Sequence, residues 1–169
     1  VASKRSSGMS MFCGKQELII QDIEEFDFSQ VEIAFFSAGA ETAKKYAPIA
    51  VSHGCTVIDN SSQFRTDLDK PLIVPEVNSR DLKDFKLPGI IANPNCSTAQ
   101  LVVALKPIHD LFKIERVDVA SYQSVSGTGK EGIDELLEQT ENFLNKKEIK
   151  PRVYGAQIAF NVIPAGDIL

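Results

Sequence analysis

The sequence predicts an α/β fold built on a parallel sheet, and three observations carry that expectation. Val31-Glu32-Ile33-Ala34-Phe35-Phe36 reads as a buried strand and Thr56-Val57-Ile58 as a second. Between them Ala43, Ala47, Ala50 and Val51 fall on one helical face. Strand, small-residue loop, helix and strand within about 30 residues make a βαβ unit, whose two strands run parallel. A third short run, Ile90-Ile91-Ala92, stops at the turn signal Asn93-Pro94 and passes into another helical pattern. Ligands of such sheets bind beyond the carboxyl ends of the strands, which singles out the loops at residues 37–40 and 59–62.

Composition narrows the class of function. The chain has 169 residues, 43% of them apolar and 24% charged, without Trp, the balance of an ordinary globular protein. Its net charge is −5, with Lys and Arg scattered, so nucleic acid is not an expected partner. No run approaches the ~18 apolar residues of a membrane span, and the opening Val1-Ala2-Ser3-Lys4-Arg5 has no signal-peptide core. Cys13, Cys55 and Cys96 are odd in number and far apart, without a CxxC pair. That spacing predicts neither a disulfide framework nor a metal site, and fits a reducing cytoplasm. The missing initiator Met implies a chain that begins mid-protein.

Taken in order, Val1-Ala2-Ser3 is the expected tail of a strand, and Lys4-Arg5-Ser6-Ser7-Gly8 a polar turn. A guanidinium beside two hydroxyls suits a phosphate monoester, and a solvated loop explains the same residues. Leu18-Ile19-Ile20 suggests an edge strand, and residues 22–27 a solvated acidic connection. After the first predicted strand, Ser37-Ala38-Gly39-Ala40 opens the helix that Gly54 should cap. Arg65, following the loop Asp59-Asn60-Ser61-Ser62, reads either as an anion clamp or as the ion-pair partner of Asp67 or Asp69. Leu72 to Asn78 predicts a short strand and turn. Residues 115–121 alternate as a strand, with Val117 and Val119 on one face. The flexible loop Ser126-Gly127-Thr128-Gly129 lets a ligand approach the backbone. Ile133, Leu136, Leu137, Thr140 and Leu144 mark an amphipathic helix, and residues 157–163 a final strand.

Cys96 is the chemical centre of this reading. Leu101, Leu105, Ile108 and Phe112 form the apolar stripe of the helix it opens. A thiol at a helix N-terminus meets unpaired N–H groups and the positive end of the macrodipole, which favour a thiolate. A cysteine nucleophile usually needs a base, and only His53 and His109 are available. His109 on the same helix lies about 20 Å away at 1.5 Å per residue, and His53 sits beside the helix-ending Gly54. The chain therefore holds a nucleophile without its base.

Six stretches in this order resemble aspartate-semialdehyde dehydrogenase, over nearly the whole chain: Val1 through Gly8, Phe36-Ser37-Ala38-Gly39-Ala40, Val57-Ile58-Asp59-Asn60-Ser61-Ser62-Gln63-Phe64-Arg65, Val74-Pro75-Glu76-Val77-Asn78, Asn93-Pro94-Asn95-Cys96-Ser97-Thr98, and Tyr122-Gln123-Ser124-Val125-Ser126-Gly127-Thr128-Gly129. The resemblance implies Cys96 as the nucleophile, Gln123 as the substrate-positioning glutamine and Asn95 as part of the same catalytic motif. It implies Arg65, with Asn60, for substrate and phosphate, and Arg5 with Ser6 for the 2′-phosphate of NADP. Ser37, Gly39, Ser126 and Gly127 match segments that contact the cofactor, and no metal is implied. The implied fold is an incomplete Rossmann-type NADP-binding domain, residues 1–92, joined to the first part of an α+β catalytic and dimerisation domain, residues 93–169. A cytoplasmic homodimer or dimer of dimers follows by the same resemblance. So does a role in the biosynthesis of lysine, threonine, methionine and diaminopimelate. The family's Gly-rich first loop, its active-site histidine and a second substrate arginine have no counterpart here, so the resemblance implies a central fragment that is inactive alone.

Two rivals remain at this stage. N-acetyl-γ-glutamyl-phosphate reductase shares the chemistry but usually carries Asn-Pro-Gly-Cys, so Asn95 favours the first family. A non-catalytic nucleotide-binding or thiol redox-sensing module using Cys96 as a switch needs neither Gln123 nor Arg65.

Overall fold

In the computed structural model, which describes residues 1–164, the chain divides into two compact units, Val1–Glu115 and a second beginning at Arg116. The first opens with Ala2 bridged in parallel to Asp22, its N–H donating to the Gln21 carbonyl at 2.9 Å. Residues 22–27 are thus only in part the solvated connection expected, with Glu24, Glu25 and Asp27 exposed. Asp22 is buried because its backbone pairs with the start of the chain, and Ile23 and Phe26 turn onto the core. Between these partners Lys4–Ser6 forms one 3-10 turn. β1 (Ser10–Cys13) and β2 (Gln16–Ile19) then form an antiparallel hairpin about Gly14-Lys15. Only its second strand was visible as a sequence pattern, since Met11 and Phe12 sit on a ribbon exposed on both faces.

The sheet that positions the site comprises β3 (Ile33–Phe36), β4 (Thr56–Asp59) and β5 (Ile90–Ala92), all parallel and in that order. Register pairs Phe36 with Asp59 and Asp59 with Ala92, so the three carboxyl ends are level. α1 (Ala40–Ser52) crosses from β3 to β4 and buries Ala43, Tyr46, Ala47 and Ala50. Its alanines allow close approach to Phe36, Val57, Ile90 and Ala92 on one sheet face, and Phe28 stacks on Phe36. Gly54, with φ of 88°, follows the cap residue His53, because a left-handed turn there suits a residue without Cβ. On the other sheet face β3 is open, with Ile33 55% and Phe35 80% exposed, whereas Ile58 and Ile91 are half-buried.

Leu72 bridges Ala92 in parallel, and the chain turns into the single-turn α2 (Pro75–Asn78) and a 3-10 turn at Ser79–Leu82. α3 (Cys96–Phe112) follows β5 directly and continues through Pro107 to a left-handed cap at Lys113. None of its residues is buried, and Leu111 and Phe112 are mostly exposed.

Two expectations for the second unit fail. Residues 115–121 and 157–163 are not strands. Extended backbone becomes a strand only by pairing, and both stretches lack a paired neighbour among the described residues. α4 (Lys130–Leu144) forms as expected but buries Gly132, Glu135 and Gln139. Ile133, Leu137 and Leu144 of the predicted apolar face are exposed. The reason is specific: the Glu135 carboxylate accepts the N–H groups of Arg152 and Val153, and Gln139 Oε1 those of Ile158 and Ala159. The two side chains are joined by a 2.7 Å bond from Gln139 Nε2 to Glu135 Oε1. Residues 165–169, at the tail of the domain expected over 93–169, lie outside the described residues.

Candidate active site

At the level carboxyl edge of the sheet, each strand ends in small or polar residues. Ser37 to Gly39 follow β3, and Gly39 is the residue on which α1 starts. β4 ends in the buried Asp59, whose carboxylate accepts the Ser61 N–H at 3.0 Å and the Ser61 hydroxyl at 2.7 Å. That side-chain turn holds the loop carrying Asn60 and leads to Arg65.

Beyond β5, Asn95 caps α3: its Oδ1 accepts the Ser97 N–H at 2.9 Å, so Cys96 occupies the first helical position. The exposed thiol lies 3.8 Å from the same Asn95 oxygen. One turn on, Gln100 Nε2 donates to the Cys96 carbonyl at 3.1 Å. The cysteine is thus held at a helix N-terminus by a side-chain cap, the position anticipated for it.

Arg65 resolves its two readings in an unanticipated way. Its Nε donates to the Asn93 carbonyl at 2.9 Å and its Nη2 to the Asn60 carbonyl at 3.1 Å, while Asp67 accepts the Asp69 N–H instead. The guanidinium therefore spans the β4 and β5 loops. Asn93, which the motif contained without singling it out, donates from Nδ2 to Asn60 Oδ1 at 2.6 Å. Its role depends on register: only when Asp59 pairs with Ala92 do the next residues of both strands become neighbours.

Neither histidine is placed to serve the thiol. α1 starts at the carboxyl edge of β3 and ends at the amino edge of β4, so its cap His53 lies at the opposite edge of the sheet from the Cys96 turn. There its Nδ1 meets the Ile49 carbonyl at 2.8 Å. His109 stands in the last turn of α3, about 20 Å along the helix from Cys96.

In the second unit, Gln123 precedes a 3-10 turn at Val125–Thr128 that contains Ser126 and Gly127. Ser124 Oγ accepts from the Ser126 hydroxyl at 3.1 Å. A methyl group on Gly127 would overlap the Gln123 amide, so glycine there makes room for the glutamine. One on Gly132 would lie 2.6 Å from the Tyr154 hydroxyl, which donates to Thr128 Oγ1 at 2.9 Å. The Gln123 loop is thereby seated on the start of α4.

Arg5 and Ser6 lie in the 3-10 turn near the start of the chain. A cleft of about 710 Å³ is lined by Ser3, Lys4, Arg5, Ala38, Thr42 and Tyr46 among others. Glu24 stands at its wall, accepting from Lys45 and from the Tyr46 hydroxyl, each at 3.2 Å. The Lys45 ammonium holds the Glu24 carboxyl below its ordinary range.

Comparison with known proteins decides among the readings. The profile of the semialdehyde dehydrogenase NAD-binding domain matches residues 1–85, and that of the semialdehyde dehydrogenase dimerisation domain matches residues 105–168. The chain belongs to the semialdehyde dehydrogenase family. It is 53% identical over 99% of its length to the aspartate-semialdehyde dehydrogenase of a Shewanella species (strain DB6705), covering 49% of that protein. It superposes with a TM-score of 0.91 and 53% identity on aspartate semialdehyde dehydrogenase II of Vibrio cholerae complexed with ASA, over 98% of this chain and 49% of that one. The Candida albicans enzyme with NADP matches at a TM-score of 0.56 and 29% identity, over 67% of this chain and 39% of that one. The chain spans about half the length of the curated relatives it matches.

Lys4 and Arg5 offer cationic donors at the cleft, Ala38 leaves room beside them, and the carboxylates of Asp22 and Glu24 line it as well. No helix among the described residues is long and apolar enough to cross a membrane.

Proposed function

We propose that the protein carrying this chain is an NADP-dependent aspartate-semialdehyde dehydrogenase, interconverting 4-aspartyl phosphate and L-aspartate 4-semialdehyde plus phosphate. The observation that carries the reading is Cys96 at the capped N-terminus of α3, on the sheet edge that Arg65 spans.

In the reductive direction the Cys96 thiolate attacks the acyl carbon. The carbon–phosphate oxygen bond breaks, phosphate leaves, and a thioester remains, so one difficult step becomes two easier ones. Helix N–H groups favour the thiolate, and Arg65 with Asn60 receives the phosphate as a charged donor set. Gln123 hydrogen-bonds the substrate without adding a competing charge, and Asn95 fixes the nucleophile. A bound nicotinamide would supply the hydride for reduction of the thioester, and Cys96 would leave the resulting aldehyde as the thiolate. Arg5 and Ser6 take the 2′-phosphate in the cleft beside Ala38. Ser37, Gly39, Ser126 and Gly127 would be the small residues that contact the cofactor.

We place the functional boundary at residues 92 and 93, where the nucleotide-binding sheet ends and the catalytic motif begins. The matched dimerisation segment supports a homodimer, or a dimer of dimers, in the complete cytoplasmic enzyme. The product semialdehyde would feed biosynthesis of lysine, threonine, methionine and diaminopimelate. Asn95 as the helix cap counts against N-acetyl-γ-glutamyl-phosphate reductase, in which glycine usually precedes the cysteine.

The test is phosphate-dependent NADPH formation from L-aspartate 4-semialdehyde by the full-length protein. Activity should vanish in Cys96→Ser, and Arg5→Ala should raise the KM for NADP while leaving that for NAD nearly unchanged. An active Cys96→Ser protein refutes the nucleophile, and an equal rise for both cofactors refutes the 2′-phosphate assignment.

A further inference from the structure

Asn93 carries more attachments than a turn residue needs. Its N–H donates to the Asp59 carbonyl at 2.8 Å, its carbonyl accepts Arg65 Nε at 2.9 Å, and its Nδ2 donates to Asn60 Oδ1 at 2.6 Å. Asn60 is fixed in turn: its N–H donates to the Phe36 carbonyl at 2.8 Å, and its own carbonyl accepts Arg65 Nη2 at 3.1 Å. Arg65, Asn93 and Asn60 therefore close a ring of three hydrogen bonds, anchored by the other two to β3 and β4. Only Pro94 and Asn95 separate this ring from Cys96. Pro94 is buried and has a fixed φ, and Asn95 is held by its capping bond. Little rotational freedom remains between the ring and the thiol.

We propose that Asn93 is a positioning residue for Cys96, acting with Asn60 through the Arg65 fork, and that this fork ties the phosphate site to the nucleophile turn. The inference rests on Cys96 being the nucleophile. Arg65 then has two duties that its charge alone does not cover. Two of the five guanidinium donors hold the loops, and lysine reproduces the charge but not the planar fork.

The test is a double-mutant cycle in the full-length enzyme, with Asn60→Ala, Asn93→Ala, the double variant and Arg65→Lys. Two quantities are read: kcat for semialdehyde oxidation, and the pH profile of Cys96 alkylation by iodoacetamide, a neutral reagent. Asn93→Ala should lower kcat by about tenfold, the loss of one well-placed hydrogen bond, leave the KM for NADP unchanged, and move the alkylation profile. The double variant should be no worse than the poorer single one, because the two side chains make one bond. Arg65→Lys should also slow alkylation although its charge is kept. This variant carries the test if Asn93→Ala does not fold. Unchanged alkylation in Arg65→Lys, or additive losses in the double variant, overturns the ring. An active Cys96→Ser protein would instead remove the reading beneath it, so the two failures are distinguishable.

Discussion

The three cysteines occupy three environments, and their reactivities should separate accordingly. Cys55 is fully buried beside α1, and burial pushes its thiol up, away from the reactive thiolate. Cys13 is exposed on the β1 hairpin, accessible but without a helix terminus. Cys96 is exposed at the start of α3. Iodoacetamide should therefore label Cys96 first, Cys13 more slowly and Cys55 last. Timed labelling of the full-length protein with peptide mapping measures this, and equal rates at Cys96 and Cys13 would refute it. At this scale the placement of Asn95 and Cys96 was legible, because a helix cap and its first residue are neighbours in sequence. The partners of Arg65 were not, since Asn93 lies 28 residues onward, and neither was the link between Asn93 and Asn60. Their bond joins residues 33 apart and exists only through strand register, which a single sequence leaves open.

Among the elements, β3, β4, α1 and the Cys96 turn were readable because short-range patterns decide them: apolar runs, alanines at helical spacing and a glycine past the helix end. The segments at 115–121 and 157–163 have the residues of strands without the partners, and periodicity cannot report a partner. α4 turns part of its expected face to solvent for a related reason, Leu136 and Thr140 staying half-buried while Ile133, Leu137 and Leu144 are exposed. Glu135 is 1% and Gln139 2% exposed, because each accepts backbone N–H groups lying 17 to 20 residues onward. Hydropathy assigns such residues to solvent, whereas the amides of an irregular segment need acceptors. Glu135→Ala should therefore release the Arg152 and Val153 amides from their acceptors, and because both residues are exposed water takes the place of the carboxylate. Hydrogen exchange at these two amides should accelerate markedly. The Ile158 and Ala159 amides should respond chiefly to Gln139→Ala. If exchange at all four is unchanged in both variants, the buried polar pair is not what holds residues 152–159.

For the whole molecule, two independent observations bear on whether these 169 residues can turn over by themselves. One is chemical: as the proposed nucleophile Cys96 would need a base, and His53 and His109 lie elsewhere, the first at the far edge of the sheet and the second at the far end of α3. The other is architectural. Parallel sheets are normally covered on both faces, yet Ile33 and Phe35 leave one face of β3 open, and α3 buries none of its residues. The relatives that match are about twice as long, which is enough chain to supply both a base and a cover. The 169-residue chain produced alone should therefore show no semialdehyde-dependent NADPH formation. It should associate through its exposed apolar surfaces, while Cys96 still alkylates. The full-length protein under the same assay should be active and free of that association. Turnover by the isolated chain would mean that a group within residues 1–169 serves as the base, and would overturn the placement argued for the histidines.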